Sequence, residues 1–231
     1  MLYENNIFLF RRFWEKNAVA GFSTRHFGGL NIVKDIRKIF YRLKVNYASI
    51  VFVKQVHKDN IVWAKDISPE ALPEADGLVS IFTQQILVVR TADCLPLFLF
   101  GERNKFTALI HLGWRSAYSK ILLRLRNILI SQGIDLSSLF VALGPGLRSC
   151  CFGVGERFLT YEPFKRYLCE RQGRLYLDLA GYAKAFFVDM GVNPANIIDS
   201  EFCSSCRRDL FYSYRQEKTR KRTLSFIMVR Q

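Results

Sequence analysis

Ile86-Leu87-Val88-Val89-Arg90-Thr91-Ala92-Asp93-Cys94-Leu95-Pro96-Leu97-Phe98-Leu99-Phe100 carries two apolar runs, 86–90 and 97–100, with a thiol in the polar break between them. Short runs rich in β-branched and aromatic residues, bounded by polar residues, read as buried strands. The same reading extends upstream to 49–56, 61–64 and 78–82, with the polar turn Lys58-Asp59-Asn60 separating the first two. Residues 68–74 hold two prolines and read as a loop. Downstream, 106–110 is a further strand, and 101–104 is a hairpin turn leading into it.

Residues 116–130 change period: Ala117, Ile121, Leu125, Ile128 and Leu129 share one helical face, while Lys120, Arg124 and Asn127 point elsewhere. Ser116 is the expected N-cap of that helix, and Gly133 lies just past its end. Residues 139–143 form a strand closed by Gly144-Pro145-Gly146; 175–190 read as a second helix ending at Gly191; 196–200 and 224–229 are late strands. Strands come in blocks and do not alternate regularly with helices. That argues against a doubly wound dinucleotide fold and for an α+β class. No internal repeat or long linker divides the chain, so 1–231 reads as a single domain of mixed β-sheets packed against flanking helices.

Half of the 231 residues are hydrophobic, enough for a sizeable core. No apolar run reaches the roughly 20 residues of a bilayer span; the longest candidate, 121–130, contains Arg124 and Arg126. The first six residues lack a basic signal-peptide region, so the expected location is the cytoplasm, with no membrane partner. In that setting the six cysteines are expected as free thiols rather than disulfides, and Cys203-x-x-Cys206, with no second Cys-x-x-Cys to complete a zinc ribbon, reads as inert. A net charge of +14 favours anionic partners such as phosphates and nucleotides. No helix-turn-helix or aromatic RNA-binding signature accompanies it, so nucleic acid is not the expected partner.

Chemistry concentrates in three short peptides at strand–loop junctions: Lys54-Gln55-Val56-His57, Arg90-Thr91-Ala92-Asp93-Cys94-Leu95-Pro96 and Ile110-His111-Leu112-Gly113-Trp114-Arg115. Two imidazoles and a thiolate are a ligand set of catalytic zinc, whose fourth position stays open for water. With Ala75-Asp76-Gly77, Gly144-Pro145-Gly146, Cys151-Phe152 and Phe211-Tyr212-Ser213-Tyr214-Arg215, these peptides resemble the YfiH family over about residues 22–228. That family is also called multicopper polyphenol oxidase (laccase-like) or peptidoglycan editing factor.

The resemblance implies zinc at His57, Cys94 and His111, and activity on purine nucleosides: phosphorolysis of adenosine, inosine, guanosine and methylthioadenosine, and deamination of adenosine. This chain departs from the family pattern in a compressed Phe27-Gly28-Gly29-Leu30-Asn31, in Gly153 where a glutamate is usual, and in Arg220-Lys221-Arg222. Deamination needs a group to carry a proton to the leaving ammonia. Asp93 is the candidate, with a structural carboxylate paired to Arg115 as the competing reading. Phosphorolysis needs cationic donors for phosphate. Arg115, at a helix start that favours anions, is one candidate, and Arg25, Arg148 and Arg222 are the others. His26 has no motif of its own, and Trp114 reads as a core anchor rather than a base-stacking platform.

Three other functions remain open on sequence. A copper-dependent polyphenol oxidase is one, although three histidines in the whole chain cannot build a four-copper cluster. A hydrolase editing peptidoglycan precursors, with Cys94 as nucleophile and a histidine as base, is the second. A nucleotide-binding module without catalysis is the third; it requires a fourth protein ligand that closes the metal site.

Overall fold

The computed structural model describes residues 1–28, 31–68 and 71–231. The compressed stretch 27–31 and the loop 68–74 each include residues outside that set. Two six-stranded sheets form the centre of the molecule. The first runs, edge to edge, Leu2–Glu4, Ile7–Leu9, Ala18–Ser23, Thr223–Val229, Gln85–Thr91 and Ser49–Phe52. The second runs Ile197–Asp199, Phe140–Leu143, Leu95–Gly101, Phe106–Leu112, Gly77–Ser80 and Ile61–Trp63. Both are mixed: most neighbours are antiparallel, but Ser49–Phe52 pairs parallel with Gln85–Thr91, Ile61–Trp63 with Gly77–Ser80, and Phe140–Leu143 with Ile197–Asp199. The α+β expectation therefore holds. The 101–104 turn is also as expected, since Gly101 faces Phe106 in an antiparallel hairpin.

Period-two alternation explains why the sheets stack. Ala18, Ala20, Phe22, Leu87, Val89 and Ile227 of the first sheet meet Leu78, Phe98, Phe100, Leu109 and Ala142 of the second in one buried cluster. The opposite face of the first sheet, with Val88, Leu224, Phe226 and Met228, is covered by Ile36, Ile39 and Phe40 of the helix Ile32–Leu43. The opposite face of the second sheet, with Leu97, Leu99, Ala108 and Ile110, is covered by Leu122, Leu125 and Leu129 of Ile121–Ser131 and by Ala183 and Phe187 of Leu179–Asp189. The order of layers is helix, sheet, sheet, helices. Strands buried on both faces read as the continuous apolar runs seen at 86–90 and 97–100.

Local chemistry moves several boundaries. The expected helix 116–130 is two helices, Trp114–Tyr118 and Ile121–Ser131, because Lys120 adopts a left-handed conformation (φ 71°) between them. Ser116 is not the N-cap: Gly113 holds that position, and the Ser116 hydroxyl reaches back to accept from Gly113 N–H at 2.9 Å. The expected helix 175–190 begins late. Residues Arg174–Leu177 form a strand, and the Asp178 carboxylate caps Leu179–Asp189 by accepting from Gly181 N–H at 2.8 Å. Strands Ser49–Phe52 and Ile61–Trp63 are not hairpin partners across the 58–60 turn, since they lie in different sheets.

Candidate metal centre

Two segments that cross from the first sheet to the second carry two of the three candidate ligands. Residues 53–60 leave Ser49–Phe52 and bring His57 to the edge of the second sheet, and 92–94 link Gln85–Thr91 to Leu95–Gly101 and bring Cys94. His111 comes from the neighbouring strand, where it lies opposite Pro96. The crossings are tight: His57 has φ 60° and Asp93 has φ 92°, both in the left-handed region that non-glycine residues seldom occupy. Strain of this kind persists where surrounding contacts over-determine it. Gln55 supplies such contacts by mimicking a strand, accepting from Arg90 N–H and donating to Arg90 C=O, each at 2.8 Å.

The ligand atoms of His57, Cys94 and His111 lie within 4.8 Å of one another, and the two imidazole rings are 4.8 Å apart at 77°. Zinc bonds of about 2.0–2.3 Å place tetrahedral ligands between three and four ångströms apart, so the trio fits one ion. Among the described residues no fourth metal-ligating side chain joins the group. The closed structural site that a purely binding protein would need is therefore not formed by these residues.

Asp76 orders the site from beneath. Fully buried, it accepts from His111 Nδ1 at 2.7 Å, leaving Nε2 as the ligand atom, and its other oxygen accepts from the backbone N–H of Val56 (3.2 Å) and Lys58 (2.7 Å) on either side of His57. One carboxylate thus positions both histidines, as second-layer groups around metal ligands do. Burial pushes the Asp76 carboxyl up, but the bonds from His111 and the Lys58 N–H outweigh it and hold the group below its ordinary value. Burial also pushes the Cys94 thiol up, yet the facing imidazoles of His111 and His57 hold it at about 6. Burial disfavours charge on His111, but the Cys94 sulfur and Asp76 raise it to about 9. Gly113 leaves room for the sulfur: a Cβ there would lie 3.0 Å from Cys94 Sγ and 3.4 Å from His57 Cδ2.

The trio lines a cavity of about 760 Å³, within the range of small-molecule sites. Arg115, Arg222 and Asp93, expected from sequence, line it too, as do Arg90, Arg215 and Lys218. Arg115 is exposed, with its guanidinium 4.5 Å over the Trp114 ring. It does not pair with Asp93, whose oxygens accept from Ser204 Oγ (2.8 Å) and Arg215 N–H (2.7 Å). Arg148 is engaged elsewhere. It donates to Gly144 C=O (2.9 Å) and Phe202 C=O (3.2 Å) and forms a largely buried ion pair with Asp199 at 2.8 Å. Arg25 pairs with Glu217 at 2.8 Å, and His26 bonds Asp209 C=O at 2.8 Å. Trp114 both packs on Phe158 (5.1 Å between rings) and faces the cavity.

Asp76, Arg90 and Gln55 lie inside the sequence motifs, but the motifs alone assign them no role. A carboxylate directly before the strand Gly77–Ser80 is the available signal for Asp76, and an arginine at the end of an apolar run is the signal for Arg90.

Comparison with known proteins agrees with this architecture. A family model described as multi-copper polyphenol oxidoreductase laccase matches residues 21–230. A purine nucleoside phosphorylase of Borreliella burgdorferi is 32% identical over 174 residues, covering 72% of this chain and 74% of the relative. Adenosine deaminase RL5, from an unknown prokaryotic organism, is 28% identical over 221 residues, covering 87% and 84%. The crystal structure of Bacillus licheniformis hypothetical protein YfiH superposes with a TM-score of 0.88 at 22% identity, over 100% of this chain and 98% of that one.

Proposed function

We propose that this chain, which belongs to the multi-copper polyphenol oxidoreductase laccase family, is a zinc-dependent purine nucleoside enzyme. It would cleave adenosine, inosine, guanosine or methylthioadenosine with phosphate, giving the free base and ribose 1-phosphate, and would also deaminate adenosine. The observation that carries the reading is the convergence of His57, Cys94 and His111, without a fourth ligand among the described residues, on a nucleoside-sized cavity walled by arginines. The names of the two curated relatives support it.

Zinc held by the trio would supply Lewis acidity and a bound water with its pKa lowered toward about 7. The protein's own residues supply the rest. Asp76 keeps the His111 proton on Nδ1 and fixes the loop that carries His57. Arg90 and Arg222 face the same cavity and are the phosphate donors this reading favours, with Arg115 at the rim. Trp114 and Phe152 give apolar walls against which a purine can lie. In phosphorolysis a phosphate oxygen would bond to C1′ as the C1′–N9 bond breaks, and the departing base would take the proton that the hydrogen phosphate gives up. In deamination water would add at the purine C6 and ammonia would leave; Asp93, on the cavity wall beside Cys94, is the candidate that takes a proton from that water and returns it to the leaving ammonia. Two of the Asp93 acceptor positions are used by Ser204 and Arg215, and a carboxylate has others free.

Copper fits less well. Of the axial ligands a His2Cys copper site uses, no methionine lines the cavity among the described residues, and the amide of Gln55, which does, is bonded to the Arg90 backbone. Incubation of metal-quantified protein with adenosine, with and without phosphate, tests the reading. Phosphate-dependent adenine, or inosine without phosphate, is expected together with zinc. Zinc-loaded protein that forms neither adenine nor inosine from adenosine would overturn it.

One observation favours a second reading. The Cys94 thiol held at about 6 beside a His111 raised to about 9 is the thiolate–imidazolium pairing of cysteine nucleophiles. A hydrolase of cell-wall precursors would then show iodoacetamide-sensitive activity without metal, whereas metal-bound Cys94 resists alkylation.

A further inference from the structure

Four of the remaining cysteines converge at a second place. Cys150 and Cys151 lie on the turn after Gly144-Pro145-Gly146, where Cys151 N–H and Phe152 N–H both donate to Arg148 C=O at 2.8 Å. Cys203 and Cys206 lie on a turn closed by Arg207 N–H donating to Cys203 C=O at 2.9 Å. The two turns are joined by backbone: Gly146 N–H donates to Phe202 C=O (3.2 Å), and Ser204 N–H donates to Gly146 C=O (3.0 Å). Cys206 Sγ is 3.4 Å from Cys151 Sγ and 3.6 Å from Cys150 Sγ, and all four sulfurs lie within 4.8 Å of one another.

Every one of these thiols is free. Bonded sulfurs would be about 2.05 Å apart. Four thiolates around one zinc, each at about 2.3 Å, sit at the corners of a tetrahedron with edges of about 3.8 Å. The separations from Cys206 Sγ, 3.4 and 3.6 Å, lie close to the second figure and far from the first. Cys203-x-x-Cys206 has the spacing of half a structural zinc site. The other half is a vicinal pair, which is why a search of the sequence for a second Cys-x-x-Cys misses it.

We propose that Cys150, Cys151, Cys203 and Cys206 form a second metal site, a closed tetrathiolate that holds one zinc ion. It staples the Gly-Pro-Gly turn to the 203–206 turn. A site with four protein ligands has no open position, so its role is structural. What it braces is specific. Ser204, between the two ligands of the second turn, donates to Asp93, and Leu147, between Gly146 and Arg148, donates its N–H to Asp93 C=O at 2.7 Å. The cluster therefore fixes two loops that hold the segment carrying Cys94. The site stands independently of the activity proposed above.

Metal analysis of the full-length chain purified under reducing conditions tests it. The Cys150→Ser/Cys206→Ser double variant is expected to lose one zinc per chain relative to the unaltered protein. A His57→Ala/Cys94→Ala variant, which dismantles the first site, is expected to retain one. Failure of one site is thereby told from failure of the other. Should the first variant not fold, titration of the unaltered protein with a mercurial replaces it: one zinc, reported by a chromophoric chelator, should leave in step with four thiols besides Cys94 and Cys169. Zinc content indifferent to Cys150 and Cys206, iron in place of zinc, or a disulfide to Cys206 in unreduced peptide maps would each overturn the proposal.

Discussion

At the residue scale the proton on His111 would decide how tightly the proposed first site binds metal. In the metal-free protein His111 is raised to about 9 and Cys94 is held at about 6, so at pH 7.5 the pair is imidazolium and thiolate. Zinc takes the neutral imidazole and the thiolate, so binding must expel the His111 proton while Cys94 has none to lose. Calorimetry in buffers of different ionisation enthalpy should register about one proton released per zinc bound at this site. Apparent affinity should climb about tenfold per pH unit from about 6 to about 9 and level off above that, and it should fall more steeply below about 6 as Cys94 also protonates. Asp76→Asn removes the charge that orients His111 and the loop of His57, and zinc affinity should drop about 10- to 100-fold in chelator competition. An affinity unchanged by Asp76→Asn would mean that the carboxylate only supports the fold. The three candidate ligands could be picked out of the sequence because each sits in its own peptide, and the fold brings them within 4.8 Å of one another. Asp76 was not assigned, because nothing along the chain says that residue 76 lies beneath residues 57 and 111; strand pairing alone brings them together, with Gly77 opposite Ile110.

At the scale of elements the region around 113–121 is where local and tertiary demands compete. Apolar periodicity over 116–130 suggests one helix, but the chain must bend away from the metal site before covering the second sheet. It does so at Lys120, whose left-handed backbone (φ 71°, ψ 29°) costs a non-glycine residue about 1–2 kcal/mol. Lys120→Gly should therefore stabilise the protein by about 1 kcal/mol in urea denaturation; a loss of stability would show that Lys120 makes a compensating contact. Ser116→Ala should cost about 1–2 kcal/mol, because the buried hydroxyl accepts from Gly113 N–H and has the carbonyls of Gly113 and His111 within reach of its one proton. The central strands were legible because strands buried on both faces are continuous apolar runs. The strand Arg174–Leu177 was hidden because Leu175 and Leu177 also fit the period of the helix that follows; the capping carboxylate of Asp178 separates the two. The helix Ile32–Leu43 was not read at all, although Asn31 caps it by accepting from Lys34 N–H at 2.9 Å.

At the scale of the whole molecule, a net charge of +14 is spread over the chain, but its chemical use depends on where the fold concentrates it. Gln85–Thr91 and Thr223–Val229 are neighbours, with Thr91 opposite Thr223 and Arg90 opposite Leu224. Arg222, just before its strand, therefore comes beside Arg90 at one end of the first sheet, and both line the cavity of the metal trio. Burial lowers the Arg90 pKa, and the like charge of Arg222 lowers it further. An anion placed between two such cations relieves both, and its bonds to them are charge-assisted. Arg90→Met removes one of these partners while keeping the length of the apolar stem. If the pair holds phosphate, KM for phosphate should rise about tenfold or more, the loss of roughly one charge-assisted hydrogen bond, while phosphate-independent deamination of adenosine keeps its kcat. Added salt should also raise KM for phosphate in the unaltered protein and do so less in the variant. Equal losses in both reactions would instead make the Arg90 side chain a support of the cavity wall, since Arg90→Met leaves its backbone bonds to Gln55 in place. The two outcomes separate a binding cation from a structural one at a position where side chain and main chain serve different neighbours.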